Sequence, residues 1–246
     1  DGIRGAGLRR GLVVVQFGLS VLLLIGMAVA ARQIDFMRHK DLGYDKEQLL
    51  YLPLRGETVK SYTRLKERLL QDPKIQAVTG TSQPPTMIGA SSFGASWDGQ
   101  DPNQRDLICC AFVDYDYTET MKIELAAGRT FSREFRSDET GAFLVNEAIT
   151  KLMGLDAAAA VGKRFAFMGV DGTIVGVVKN YHFQTVQAQI GPLAVAMGVR
   201  SPAGPWTVPS YVVIRPKAGG VAASLGAVEA AWRAVNADYP FEYRFF

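Results

Sequence analysis

Few side chains in this chain are suited to catalysis, and they are scattered. There are two histidines, His39 and His182. A metal site or an acyl-transfer triad needs several such groups converging, with a carboxylate to orient the imidazole. His182 lies in Val177-Val178-Lys179-Asn180-Tyr181-His182-Phe183, at a strand end, without a second histidine or a clear carboxylate beside it. A hydrogen-bonded structural role is expected. His39 follows a long apolar run and reads as solvated. Cys109 and Cys110 are adjacent, and a disulfide between neighbours would close a strained ring. They read as small apolar residues in a strand, and two cysteines give no disulfide framework that would fix the compartment. Asp114-Tyr115-Asp116 offers two carboxylates, but a turn into a helix accounts for them, with Asp116 as its cap. Gly128-Arg129-Thr130-Phe131-Ser132 reads as a turn: Gly128 supplies a positive φ, Thr130 or Ser132 caps, and Arg129 is expected in a structural salt bridge, with an anion clamp as the alternative. Gly5-Ala6-Gly7 lacks the strand and third glycine of a dinucleotide loop, and no G-x-x-x-x-G-K-[ST] phosphate loop occurs. Asn103-Gln104-Arg105 and Ser91-Ser92 read as loops. The sequence therefore predicts no catalytic residue, no metal ligand and no cofactor-binding residue, and a protein that is not an enzyme.

The element that organises the rest is Gly11 to Ala31, GLVVVQFGLSVLLLIGMAVAA. About 21 uncharged residues make a helix of about 31 Å, matching the ~30 Å hydrocarbon core of a bilayer. Gln16 and Ser20 are its polar groups. Arg4, Arg9 and Arg10 precede it, which places the N-terminus in the cytoplasm and the large domain outside. Ala28-Val29-Ala30 also fits a signal-peptide cleavage site, but the apolar run exceeds the usual core of about 7–15 residues. Ile34 and Met37 continue the helical spacing, and Gly43 marks a helix end. A helix from Leu8 to Leu42 would span about 50 Å, its excess forming a stalk. The alternative is a break near Arg32 and a flexible linker. Net charge is +3, with about +4 in residues 1–40 and about −1 in the remainder. A near-neutral main domain excludes nucleic-acid binding, which needs a basic face.

Beyond the anchor, Glu47–Leu54 reads as a strand, Thr58–Gln71 as an amphipathic helix and Ile75–Ser82 as a strand. Ser210–Arg215, a helix marked by Val221, Leu225, Val228, Trp232 and Val235, and Pro240–Phe246 repeat the order. Two β-α-β units suggest a ferredoxin-like α/β sandwich. The intervening stretch is too long for a loop and is bracketed by Gln83-Pro84-Pro85-Thr86 and Ser201-Pro202-Ala203-Gly204-Pro205. It predicts an inserted, mainly β subdomain. Its strands are expected at 106–114, 142–145, 163–167, 173–178 and 193–199, its helices at 115–121 and 146–153. Turns are expected at Gly128, Gly141 and Asp171-Gly172. The overall class is α+β. The boundaries are 1–43 for flank, transmembrane helix and stalk, 44–85 with 206–246 for the sandwich, and 86–205 for the insertion. Exposed residues of the insertion region, with Trp97 and Trp206 among them, are the expected contact surface.

A set of ordered segments carries a resemblance. They are Arg9-Arg10-Gly11-Leu12-Val13-Val14-Val15-Gln16-Phe17, Lys40-Asp41-Leu42-Gly43-Tyr44-Asp45-Lys46-Glu47-Gln48 and Ala127-Gly128-Arg129-Thr130-Phe131-Ser132. They continue with Val145-Asn146-Glu147-Ala148, Val161-Gly162-Lys163, Ile174-Val175-Gly176-Val177-Val178-Lys179-Asn180-Tyr181-His182-Phe183 and Pro240-Phe241-Glu242-Tyr243-Arg244-Phe245. In this order they resemble the ABC transporter permease family with a MacB-like periplasmic core domain and FtsX-like membrane helices, in particular the second repeat of its longer members. The resemblance implies a bacterial inner-membrane protein with a periplasmic, porter-like domain. It implies membrane lipid, a separate ATP-binding subunit that holds the ATP, another permease repeat or subunit, and a periplasmic accessory protein as partners. ATP-driven motion would pass up the stalk to export or extract substrate on the periplasmic side. The family supplies no catalytic residues. The competing class is a single-helix sensor with an extracytoplasmic ligand-binding domain, which would need a small-molecule pocket.

Overall fold

The computed structural model describes residues 2–39, 42–45, 49–101, 103–185, 187–198, 209–217 and 221–245. They form two compact units, 1–41 and 42–246. The first holds one helix, α1 (Gly2–His39), whose side chains from Arg9 to Phe36 are exposed throughout. The segment Arg9–Phe36 is long and apolar enough to cross a membrane. It runs unbroken past Arg32, so the expected alternative of a break there is not seen. Leu42 and Gly43 are not helical, so the helix stops short of the predicted end; residues 40 and 41 lie outside the described residues. The side chain of His39 also lies outside them.

Among the described residues the second unit is built on twelve strands in one sheet. In chain order these are β1 (Leu50–Pro53), α2 (Tyr62–Gln71), β2 (Ile75–Thr81), β3 (Ser91–Ser92), β4 (Ser96–Trp97) and β5 (Ile108–Val113). Then come α3 (Tyr117–Met121), β6 (Leu125–Gly128), α4 (Asp138–Gly141), β7 (Ala142–Asn146), α5 (Glu147–Leu152) and α6 (Ala157–Ala160). The chain ends with β8 (Arg164–Phe167), β9 (Val170–Val178), β10 (Leu193–Met197), β11 (Tyr211–Pro216), α7 (Val221–Val235) and β12 (Arg244–Phe245).

The four strands from the chain's two ends lie side by side as β12-β1-β11-β2, each antiparallel to its neighbour. That is the ferredoxin-like order, with each β-α-β unit split by one strand of the other. α2 and α7 cover one face. Leu52, Leu65, Leu69, Val78, Val228 and Trp232 form the core between them, all at most 2% exposed. The predicted helix at Thr58 begins as a 3-10 turn, Gly56–Ser61, and becomes α-helical at Tyr62.

The sheet continues from β2 into the inserted strands through a single paired rung, Thr81 opposite Val113. From there it runs β5-β10-β7-β9-β8-β4, with β5–β10 and β7–β9 parallel. A second core of Phe143, Val145, Phe165, Ile174 and Val177 fills the insertion. A third spans both parts, joining Tyr51 and Val213 to Val113, Tyr117 and Tyr181.

Several local expectations change: β3, β4, α4 and α6 are elements the pattern does not predict, and Gly141, expected in a turn, ends α4. Asp171 and Gly172 lie inside β9; the β8–β9 turn is Met168-Gly169, both at positive φ (53° and 78°). Gly172 is required for another reason, since a Cβ there would come within 2.2 Å of the Gly141 carbonyl oxygen. β6 was not expected; it is a short, half-exposed strand along β9. The final strand is two residues long, not seven, with residue 246 outside the described residues.

Candidate functional site

Apart from Asp114 and Asp116, the residues singled out in the sequence do not converge. His182 is half-buried, and its backbone N–H donates to the Leu42 carbonyl at 2.7 Å. Cys109 and Cys110 are free thiols in β5, and burial pushes the Cys110 thiol up to about 11, its Cys109 neighbour adding to the shift. Among the described residues no cluster of three or more His, Cys, Asp or Glu side chains could hold a metal ion. Arg129 forms a two-pronged pair with the fully buried Asp138 (2.6 and 2.8 Å), and Phe135 stacks 4.0 Å beneath its guanidinium. Asp138 also accepts the Ser132 N–H at 2.9 Å. Arg129 therefore closes the turn at Gly128 as a structural salt bridge. Trp97 is buried, stacked on Phe165 with ring centroids 6.2 Å apart, so it offers no contact surface. Trp206 lies outside the described residues.

The side chains that do converge are Tyr62, Lys66 and Arg133, which the sequence does not single out, around Asp114 and Asp116, which it does. They line a cleft of about 580 Å³ where α2 faces the loop after β5, beside the Thr81–Val113 rung. Tyr62 and Lys66 stand one helical turn apart on α2, so their polar tips reach the same spot. Tyr62 donates to Asp114 Oδ2 at 2.5 Å, and Lys66 Nζ reaches the same oxygen at 2.5 Å. Lys66 also pairs with Asp116. Arg133 closes the far side, 3.0 and 3.2 Å from the two Asp116 oxygens, with its guanidinium 4.6 Å above the Tyr115 ring. Gly80 forms the floor: a Cβ there would lie 2.8 Å from the Tyr62 ring. Asp116 thus caps nothing, contrary to expectation; it bridges two cations.

The electrostatics follow from this arrangement. Burial pushes the Asp116 carboxyl up, but the hydrogen bonds and charges of Arg133 and Lys66 outweigh it and hold the group below the usual carboxylate range. Burial, reinforced by Asp114, pushes the Tyr62 phenol well above its ordinary value. Tyr62 is then a fixed donor at neutral pH, not a nucleophile. Each cation on the wall is already neutralised, Lys60 by Glu57 at 2.9 Å included. Chemically this is a latch between α2 and the insertion, under apolar walls from Val59, Leu70 and Phe112. Its contacts from α2 span 48 to 52 positions and that of Arg133 with Asp116 spans 17, so no local motif announces it; the Asp114/Asp116 carboxylates and the Tyr62/Lys66 pair on one helix face are its legible traces.

The sequence matches no protein-family model and no curated protein. The fold, however, is that of known transporter domains. The periplasmic region of MacB from Actinobacillus actinomycetemcomitans superposes with a TM-score of 0.57 at 11% identity, over 82% of this chain and 90% of that one. The extracellular domain of the noncanonic ABC-type transporter YknZ from Gram-positive bacteria gives a TM-score of 0.52 at 14% identity, over 80% and 98%. At such identities the likeness establishes a shared fold.

Proposed function

We propose that this chain is part of an ABC transporter permease subunit. Its large unit is the extracytoplasmic domain, and α1 is the membrane span that leads into it. The observation that carries this reading is the likeness to transporter domains over four fifths of the chain, combined with an apolar helix placed directly before them. In this reading the protein sits in the bacterial inner membrane and pairs with a separate ATP-binding subunit. Motion driven by ATP hydrolysis passes through α1 to the outer domain, which exports or extracts substrate on the periplasmic side. A second permease repeat and a periplasmic accessory protein complete the assembly. The chain itself does no chemistry, and ATP is held by the partner.

The sensor alternative would use the cleft beside α2 as its ligand pocket. The committed cations there favour a latch over a polar ligand site.

The native reading frame on both sides of this segment tests the proposal. Further apolar segments of about 20 residues downstream, with a similar unit upstream, support a permease. A single span leading to a signalling module would replace it with the sensor. Once the complex is in hand, Gln33→Pro tests transmission. Proline removes one backbone donor from α1 and kinks it, at a cost of about 3 kcal/mol. ATP hydrolysis should persist while transport falls; full transport would refute a mechanical helix.

A further inference from the structure

Four residues, Leu42–Asp45, open the large unit without belonging to a helix or strand, yet they are held on several sides. The Leu42 carbonyl accepts the His182 N–H at 2.7 Å, and the Asp45 N–H donates to the Met121 carbonyl at 3.2 Å. Gly43 has φ +76°, and a Cβ on it would lie 2.9 Å from the Asn180 oxygen and the Tyr181 Cα. Only glycine fits this close approach. Tyr44 is buried, its ring edge-on to Tyr181.

The centre of the arrangement is Arg215 on β11, 2% exposed. Its Nε donates to the Thr120 carbonyl at 2.6 Å, and its two terminal nitrogens reach the Asp45 carbonyl at 2.7 Å and Asp45 Oδ2 at 3.2 Å. Lys122 meets the same carboxylate at 2.5 Å. Burying a guanidinium is costly unless its donors are used. Here they go to a carbonyl near the end of α3, that of Thr120, and to the entering segment. α3 ends there because Lys122 turns left-handed (φ 52°). β11 lies between β1 and β2 in the four-stranded part, whereas α3 belongs to the inserted part. One side chain therefore ties the entering chain to both.

We propose that Leu42–Asp45 is a fastening, with Arg215 as its positioning residue. A displacement of the chain at residue 42 moves β11 and α3 together and does not peel the segment away. Its use in transport rests on the permease reading; its existence does not. Whole chain in lipid nanodiscs would be compared by hydrogen exchange for wild type, Arg215→Met and Asp45→Ala. The second variant removes a carboxylate that is about a third exposed, and so keeps the test open if the first does not fold. Segment 42–45 should exchange about 10–100-fold faster in Arg215→Met, the loss expected for hydrogen bonds to a charged group, and about tenfold faster in Asp45→Ala. Residues 77–81 and 212–214 should change far less. Equal acceleration in all segments would mean that Arg215 serves only global stability, and no acceleration would mean that it holds nothing; either overturns the proposal. In the complex with the ATPase, a loosened segment should lower transport without lowering ATP hydrolysis, and undiminished transport would overturn the fastening as a transmission element. If no ATPase subunit purifies with the chain, the permease reading fails, and the exchange result alone decides the fastening.

Discussion

Replacing Lys66 by methionine keeps the length of the side chain and removes the charge that sits between Asp114 and Asp116. Breaking a fully buried ion pair from one side costs about 3–5 kcal/mol, because the other charge is left without compensation. Here the side chains are 10%, 14% and 28% exposed, and Arg133 stays on Asp116. Partial solvation and the remaining cation reduce the expected cost to about 2–3 kcal/mol at pH 7. For a domain of this size that is a fall in Tm of roughly 4–12 °C. The pH dependence identifies the cause. Asp116 is held below the usual carboxylate range in the folded protein, so its contribution is present above the unfolded carboxylate pKa and is lost as pH falls through the folded value. In Lys66→Met one of the two cations is gone, the Asp116 pKa rises, and protonation relieves the penalty. The gap between variant and wild type should therefore shrink as pH drops below about 4. Thermal melts followed by circular dichroism at pH 7 and pH 3.5 measure it directly. An equal gap at both values would show that the loss comes from packing of the lysine stem and would refute the ionic latch.

Two further outcomes follow from the backbone and the thiols. Gly176→Ala places a Cβ 2.2 Å from the Arg129 carbonyl oxygen, so β6 must move off β9; denaturant titration should show a loss of at least about 2 kcal/mol. Burial holds the Cys110 thiol at about 11, leaving well under ~1% thiolate at neutral pH, so iodoacetamide should label it far more slowly than a free thiol in solution. Rapid labelling of the native protein would contradict its burial in β5.

The two ends of the chain were readable because each buries one clean stripe against one sheet face. Leu65, Leu69, Val228 and Trp232 fall at helical spacing and meet in one core. The middle was harder for reasons specific to its residues. Asp171-Gly172 has the composition of a turn, but Gly172 is there for close packing against Gly141, whereas the true turn puts Met168 at a positive φ that its side chain does not favour. β6 is four residues with two exposed, too little pattern to separate from loop. Asp116 precedes a helix and so resembles a cap, but charges on α2 and at Arg133 claim it first. The latch and the Arg215 fastening join residues far apart in sequence, and such pairings are a product of topology.

The rung that joins the two halves of the sheet also bears on how the chain folds. Thr81, the last residue of β2, pairs on one side with Val113 and on the other with Tyr211, the first residue of β11. The 129 residues between positions 81 and 211 thus leave and return at one point of the sheet. A chain that had to close so long an unstructured loop before β11 could pair would fold slowly, since distant contacts come late. If the insertion collapses first, its own core brings the two ends together and the remaining closure is that of a short hairpin. β11 can then pair with β2 at little further entropic cost, so the length of the insertion need not slow assembly of the four-stranded part.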